Sequence, residues 1–285
     1  MKVSQLQISR AASLAATVLL VNLASGCGRA EFQFSNGSTL GQLEPPTVCV
    51  PGTTPGTSQN GLAGSIRYLE SANPSPRPGK VDDILNSGKD PGVKLILSDL
   101  NIPTVAFTQG FVDPVSGQAV KNSNGDVLTE WFAIDMKSSI MLKDSEPEGY
   151  YQLALLSDDG AVMDIDVSAT SAGSVAVDND GEHSTKMGCG ASAVYLKHNE
   201  PRAIRVRYYQ GPRYHIALTM MWRKAGSASS AKDAYCGQSG NDLFWNSNVT
   251  PSAPTSKYND LVSRGWKVPS PENFILPAGS TNTCI

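Results

Sequence analysis

Hydrophobic and polar residues alternate through much of the chain after residue 93. In the segment "FAIDM", Phe132, Ile134 and Met136 share one face of an extended chain, and the residues between them fall on the other face. The segment "HIALTMMW" repeats this pattern from Ile216 to Trp222. A period of two predicts strands with one buried face, so this region is expected to form many short β-strands.

Four further segments continue the series of strand patterns: "VKLILSD", "GYYQLALLS", "ASAVYL" and "AIRVRYY". Asn124-Gly125 is a strong signal for a hairpin turn. A short helix is expected at "VDDILNSG", Val81 to Gly88. The chain also has 26 glycines and 18 prolines, which favours a loop-rich protein over a mostly helical one. The pattern predicts an all-β fold, either an antiparallel β-sandwich or a barrel.

The first 26 residues have the features of an export signal. Lys2 and Arg10 precede an apolar stretch, "AASLAATVLLVNLA", that is too short to span a membrane as a stable anchor. It ends in "LASGC", which resembles the lipobox of bacterial lipoproteins, in which the cysteine becomes the acylated N-terminus; here that residue is Cys27. With Gly28 after it, the resemblance implies a lipid-anchored protein of the bacterial cell envelope, in the outer membrane or at the cell surface. An ordinary secretory signal with a nearby cleavage site is the alternative.

Composition divides the rest of the chain into three parts. Residues 27–60 are rich in Gly, Pro, Ser and Thr, and they predict a flexible tether. Residues 61–224 carry the strand pattern and form the expected domain. Residues 225–285 are polar, with scattered aromatic residues, and predict an irregular C-terminal extension that lies on the domain.

Besides Cys27 the chain has four cysteines, Cys49, Cys189, Cys236 and Cys284. An even number in an exported protein predicts two disulfide bonds, and the sequence leaves all three pairings open. Their spacing is wide and includes no CxxC pair, so structural zinc is not expected.

The net charge of −3 becomes −5 once the signal containing Lys2 and Arg10 is removed. A mildly acidic, exported protein has no electrostatic reason to bind nucleic acid, although the segment "RVRYYQGPRYH" mixes arginine with tyrosine. On a strand, Arg205, Arg207 and Tyr209 would form one outward face. We therefore expect no nucleic-acid partner.

Two aspartates, Asp158 and Asp159, stand side by side between two strand patterns. Adjacent carboxylates repel each other, and successive side chains of a regular strand point to opposite faces, so they could not chelate one ion in that geometry. From these residues and Gly160 alone, a solvated turn and a cation site are both open.

Four segments, in this order, resemble the protective-antigen (PA-fourteen) domain family: "GLAGSIRYL", "GYYQLALLSDDGAVMDID", "VDNDGEH" and "AIRVRYYQGPRYHIALTMMW". They span most of residues 61–224. The resemblance implies a lectin-like antiparallel β-sandwich of the carbohydrate-binding type.

In the sugar-binding members of that family, the paired aspartates are joined by a cis peptide and bind Ca²⁺ together. By resemblance, Asp158 and Asp159 would be ligands here, and Gln210 would supply a side-chain amide. Carbonyl groups of the loop from Gly211 to Tyr214, including Arg213, would complete the protein's share. Ca²⁺ accepts about six to eight oxygens, so sugar hydroxyls could fill the remaining places.

Residues of the same loop are expected to determine the specificity for the sugar. Tyr209, Arg213, Tyr214 and His215 lie near the expected cation site in sequence. An aromatic face against sugar CH groups and an arginine hydrogen bond to a hydroxyl are the expected contacts. The predicted function is Ca²⁺-dependent glycan binding by an envelope-anchored adhesin or polysaccharide-recognition lectin.

The alternative is a structural or assembly lipoprotein whose sandwich holds a protein partner, favoured if the extension covers the "YYQGPR" loop. An enzyme is not expected, because the chain has no G-x-S-x-G or H-E-x-x-H motif. Two aspartates aimed at one point also cannot straddle a glycosidic bond. "VDNDGEH", Val177 to His183, is expected to be a hairpin turn without a ligand role.

Overall fold

A computed structural model describes residues 47–49, 59–106, 120–249 and 251–280. The predicted export signal, Cys27 and Cys284 lie outside these residues. The helices are α1 (Val81–Ser87) and α2 (Ser256–Ser263), with a 3-10 turn at Pro271–Asn273. The strands are β1 (Thr47–Cys49), β2 (Leu62–Tyr68), β3 (Lys94–Leu97), β4 (Asn101–Val105), β5 (Phe132–Ile140), β6 (Gly149–Asp158), β7 (Ala161–Ile165), β8 (Ser174–Asn179), β9 (Lys186–Cys189), β10 (Val194–Leu196), β11 (Arg202–Gln210), β12 (Ile216–Ala225), β13 (Trp245–Asn246), β14 (Ala253–Pro254) and β15 (Phe274–Ile275). None of the described helices is long and apolar enough to cross a membrane.

Two sheets make up the body of the molecule. The first has the order β1-β3-β2-β5-β11-β7-β8, and β15 also pairs with β5. The second has the order β10-β6-β12-β4, and β9 also pairs with β6. All of these pairs are antiparallel except β1 with β3, which is parallel. The predicted all-β antiparallel sandwich is therefore confirmed, while β1 lies inside the segment predicted as a tether.

The main core lies between the two sheets. Phe132 and Met136 of β5 face it from the first sheet, and Leu218 and Trp222 of β12 face it from the second. All four are fully buried. Burial of a side chain of this size stabilises the fold by about 1.5–3 kcal/mol. The faces expected from the alternating pattern are thus the faces that form the core.

The C-terminal extension covers the outer face of the second sheet. Leu156 of β6 and Met221 of β12 point away from the main core, and they pack against Phe244, Trp245 and Trp266 of the extension. A sheet buried on both faces explains why β12 carries apolar residues at consecutive positions from Met220 to Trp222.

The extension is also held by a disulfide bond and by a buried carboxylate. Cys189 of β9 is bonded to Cys236, with an S–S distance of 2.06 Å. Asp233 lies 2.8 Å from Arg264 and 3.1 Å from Arg223 of β12, and its side chain is 1 % exposed. The side chain of Cys49 and all of Cys284 lie outside the described residues, so the second predicted disulfide stays a prediction.

Helix α1 covers part of the outer face of the first sheet. Val81 and Ile84 of the helix pack against Trp131, Val162 and Tyr209 in a separate apolar cluster. The helix begins at Val81, as the sequence predicts, and ends at Ser87, with Gly88 as its C-cap residue. Its position decides which side chains near the end of β11 reach the surface.

Candidate cation and ligand site

The paired aspartates lie where the chain passes from one sheet to the other. Asp158 ends β6 in the second sheet, and β7 begins in the first sheet at Ala161. The Asp158–Asp159 peptide bond is cis, as the family resemblance implies. Both carboxylates are buried, with Asp158 7 % and Asp159 4 % exposed. The turn is therefore not a solvated hairpin, and its two flanking strands pair with other strands.

A second sheet-to-sheet connection supplies hydrogen bonds to both aspartates. The backbone N–H of Thr185 donates to Asp158 Oδ2 at 2.9 Å, and the Thr185 hydroxyl donates to the same oxygen at 3.3 Å. The backbone N–H of His183 donates to Asp159 Oδ1 at 3.0 Å. Residues 180–185 join β8 of the first sheet to β9 of the second, so the expected hairpin at "VDNDGEH" is wrong. Sequence reasoning missed this contribution because backbone N–H groups have no residue signature.

The loop after β11 reaches the same place, as the resemblance predicts. The backbone N–H of Gly211 donates to Asp159 Oδ2 at 2.7 Å. The Tyr208 hydroxyl lies 2.5 Å from the carbonyl oxygen of Asp158 and 2.5 Å from Gln210 Oε1. Because a hydroxyl carries one proton, it donates to one of these oxygens, and the other keeps its lone pairs. Two segments distant in the chain thus converge on the paired aspartates.

Burial dominates the electrostatics of the two carboxylates. Desolvation, and then the charge of Asp159, raise the pKa of Asp158 to about 7, against the hydrogen bonds from Thr185. Desolvation raises the pKa of Asp159 to about 6, although N–H groups of Gly211 and His183 lower it. The charge of Arg77 offsets only part of this rise. A buried, ionised pair of this kind is unfavourable without a positive partner.

The chemistry of the donors fits a hard cation. The cis peptide joins two carboxylates, and Tyr208 brings the carbonyl oxygen of Asp158 and the amide oxygen of Gln210 close to one hydroxyl. Ca²⁺ prefers carboxylate, amide and carbonyl oxygens as ligands. Over the described residues, no group of three or more His, Cys, Asp and Glu side chains could hold a metal ion. A cation here would therefore depend on Asp158 and Asp159, with Gln210 and backbone oxygens as further ligands, and its coordination shell would retain open places.

Tyr209 does not reach the surface, which corrects two expectations. The sequence pattern places it outward beside Arg205 and Arg207, and the loop hypothesis makes it a sugar contact. Both arginines do lie on that face, where they pair with Asp135 and Asp82. Tyr209 is instead fully buried, because α1 covers the end of β11. Its ring packs in the apolar cluster under α1, so it cannot contact a ligand that binds from solvent.

The other loop residues are placed at the rim of the site. Tyr214 is 80 % exposed. Arg213 is also exposed, and its guanidinium lies 3.0 Å from Glu130. His215 contacts Ser247 of the extension, with Nε2 3.3 Å from the hydroxyl oxygen. The extension lies mainly on the outer face of the second sheet and leaves Arg213 and Tyr214 uncovered.

No family profile matches the chain, and no curated protein matches it. Solved structures are similar to it at low identity. One is the PA14 sugar-binding domain from an RTX adhesin, with 16 % identity, 64 % of this chain and 100 % of that chain covered, and a TM-score of 0.42. Another is the epithelial adhesin 6 A domain from Candida glabrata, in complex with Galb1-3GlcNAc, with 16 % identity, 69 % and 94 % covered, and a TM-score of 0.39. A third is the PA14 domain of the antifreeze protein MpAFP, with 13 % identity, 66 % and 91 % covered, and a TM-score of 0.42. These values are too low to carry a function from one protein to another.

Proposed function

We propose that this protein binds glycans in a Ca²⁺-dependent manner, through Asp158, Asp159 and the loop after β11. The observation that carries the proposal is the burial of two adjacent carboxylates. The charge of Arg77 acts on Asp159, but Arg77 is itself paired with Glu182 at 2.7 Å. A dication would neutralise the charge of the two carboxylates and reverse the cost of ionising both groups.

The ligand set explains why the partner would be a sugar. Two carboxylates, the Gln210 amide and one or two carbonyls leave part of the Ca²⁺ shell open, since that ion accepts about six to eight oxygens. Neighbouring hydroxyls on a sugar ring supply two neutral oxygens to one cation. A sugar would also need side chains that it can touch from solvent, and Arg213 and Tyr214 of the adjoining loop are exposed.

Tyr214 supports the proposal through its backbone as well as its exposure. Its φ of +114° lies in a region that a residue with a large side chain rarely adopts. Such a conformation costs about 1–3 kcal/mol, and it is common where a side chain is held in place for a ligand. An exposed tyrosine beside a cation-held sugar would pack against the apolar face of the ring.

The predicted lipid anchor at Cys27 would hold many copies of the protein at the cell envelope. One weak site per molecule, displayed in many copies on a cell envelope, would bind a glycan surface through avidity. We therefore propose an adhesin or polysaccharide-recognition lectin of the outer membrane or cell surface. A loop covered by the extension would have favoured the protein-partner alternative, whereas Arg213 and Tyr214 are exposed.

The test is a glycan array probed with residues 28–285 in millimolar Ca²⁺ and in chelator. We expect binding that chelator removes and that Asp159→Ala abolishes. Asp144→Ala, at an exposed aspartate outside the site, is the matched control and should bind like the parent protein. Equal binding in chelator, or by the Asp159→Ala protein, would refute the calcium-dependent function.

A further inference from the structure

Tyr208 carries a hydroxyl group from one sheet to the end of the other, beside the paired aspartates. It lies on β11 of the first sheet, and its side chain is fully buried in the main core. The Phe132 ring packs against it edge-on, with ring centroids 6.3 Å apart. Its hydroxyl reaches the backbone of Asp158, which ends β6 in the second sheet. Packing of the core therefore fixes the position of this polar group.

Two oxygens compete for the proton of this hydroxyl. It lies 2.5 Å from the carbonyl oxygen of Asp158 and 2.5 Å from Gln210 Oε1, and both oxygens are acceptors. A tyrosine hydroxyl has one proton to donate, so one of the two oxygens receives it and the other does not. Rotation of the hydroxyl about its C–O bond exchanges the two arrangements without moving a heavy atom.

The amide of Gln210 points inward for this contact. Gln210 is two residues from Tyr208, so both side chains lie on the same face of β11, and Gln210 is 1 % exposed. Its Nε2 donates to the carbonyl oxygen of Pro212 at 3.3 Å, which directs Oε1 towards the hydroxyl. When the hydroxyl gives its proton to Asp158, the amide oxygen keeps its lone pairs, which suit a hard cation.

The two oxygens come from different sheets. Asp158 ends β6 and Gln210 ends β11, and these two strands do not pair with each other. The Tyr208 hydroxyl bridges them. The next residue, Gly211, donates its backbone N–H to Asp159 Oδ2 at 2.7 Å, so the second carboxylate lies at the same corner of the sandwich. The hydroxyl thus brings two neutral oxygens together next to the two carboxylates.

We propose that Tyr208 is a positioning residue for the cation. Its hydroxyl holds the amide oxygen of Gln210 beside the carbonyl oxygen of Asp158, and by turning its proton to Asp158 it frees the amide oxygen for Ca²⁺. Tyr208 itself does not touch the cation. The inference rests on the proposed function, because Ca²⁺ must bind at Asp158 and Asp159. It assigns a role in cation affinity to a core residue that has no contact with solvent.

The test is isothermal titration of residues 28–285 with Ca²⁺, together with thermal unfolding in chelator. Tyr208→Phe keeps the ring and removes the hydroxyl, and the Kd for Ca²⁺ should rise about tenfold, the loss of roughly one hydrogen bond. A merely structural role of the hydroxyl would lower the unfolding temperature and leave the Kd unchanged.

Tyr151→Phe is the matched control. Tyr151 is 2 % exposed in the same core, and its hydroxyl donates to the carbonyl oxygen of Pro147 at 2.7 Å. It lies seven residues before Asp158 on β6, about 23 Å along the strand. Both variants should unfold at a lower temperature in chelator, and only Tyr208→Phe should lose Ca²⁺ affinity.

A double-mutant cycle with Gln210 tests whether Tyr208 acts through the amide. In a Gln210→Ala background, Tyr208→Phe should change the Kd for Ca²⁺ by less than about threefold, because the oxygen that it positions is absent. In parent protein made with isotope-labelled tyrosine, the Cζ resonance of Tyr208 should move on addition of Ca²⁺. This measurement needs no variant and serves if Tyr208→Phe fails to fold.

The inference is overturned if Tyr208→Phe and Tyr151→Phe bind Ca²⁺ equally well. It is also overturned if the effects of Tyr208→Phe and Gln210→Ala are independent, or if the Tyr208 resonance does not respond to Ca²⁺. Absence of Ca²⁺ binding by the parent protein would instead overturn the proposed function, and this inference with it.

Discussion

Gly211 donates its backbone N–H to Asp159 Oδ2 at 2.7 Å and so links two loops that are 52 residues apart in the chain. The contact also leaves little room for a side chain at Gly211. A Cβ at this position would lie 2.9 Å from Asp159 Oδ2. The loop after β11 can approach the aspartates only because this residue has no side chain.

Gly211→Ala should therefore weaken Ca²⁺ binding by displacing the loop or the Asp159 carboxylate. We expect a loss of about tenfold, since overpacking typically costs about 1–3 kcal/mol. Isothermal titration with Ca²⁺ measures it. Gly226→Ala is the matched control, because its Cβ would meet nothing nearer than 4.0 Å. An unchanged Ca²⁺ affinity in Gly211→Ala would show that this loop does not support the cation.

Asp158→Asn should separate stability from cation binding. In chelator at pH 8, the variant should unfold at a higher temperature than the parent protein, because it removes one of two buried like charges and its amide oxygen can still accept from Thr185. In excess Ca²⁺ the order should reverse, because a ligand at a hundred times its Kd stabilises the folded state by about 2.7 kcal/mol. A variant that still gains stability from Ca²⁺ would contradict the assignment of Asp158 as a ligand.

In chelator, the free energy of unfolding should depend on pH because Asp158 and Asp159 titrate. The folded-state pKa values of Asp158 and Asp159 are raised to about 7 and about 6, so the stability linked to their protonation is fully present below about pH 4. It is lost as pH rises through 6 to 7, and the free energy of unfolding should fall over that range. Urea denaturation at several pH values measures this fall, which should be smaller in Asp158→Asn. A parent protein and variant with the same profile would argue against the raised pKa values.

Asp233 should show the opposite behaviour. Burial opposes its ionisation, but hydrogen bonds from Arg264, Tyr235 and Trp266 outweigh it and lower the pKa of Asp233 to about 2. Its stabilisation is therefore present above about pH 4 and is lost as pH falls towards 2. Asp233→Asn should cost about 2 kcal/mol near pH 6 and almost nothing near pH 2, by urea denaturation. A constant difference at both pH values would mean that packing, and not charge, is what the substitution disturbs.

The Cys189–Cys236 bond should matter for stability and not for the cation. It closes a sequence separation of 47 residues, and loss of such a bond typically costs about 2–5 kcal/mol. The double variant Cys189→Ser/Cys236→Ser should unfold at a lower temperature but keep the Ca²⁺-induced rise in Tm. If that rise disappears, the extension contributes to the site in a way that its position on the outer face of the second sheet does not explain.

The alternating pattern determined the strands and their buried faces, because residues two apart on a strand share a face whatever the strand pairs with. Phe132 and Trp222 illustrate this, since both lie in the core that their pattern predicted. The resemblance of their motifs also predicted that the loop at Gln210 and Gly211 meets the paired aspartates, as the Gly211 contact with Asp159 shows. Their role as cation ligands stays a prediction.

Only the tertiary structure decided which groups meet at the site. His183 and Thr185 bind the aspartates through backbone N–H groups, which every residue but proline carries, so no sequence pattern marks them. Tyr209 has an outward position on its strand and is nevertheless buried, because a helix more than a hundred residues earlier in the chain packs over it. The period of a strand specifies a direction for each side chain, whereas burial and contact depend on what the folded chain brings to that side.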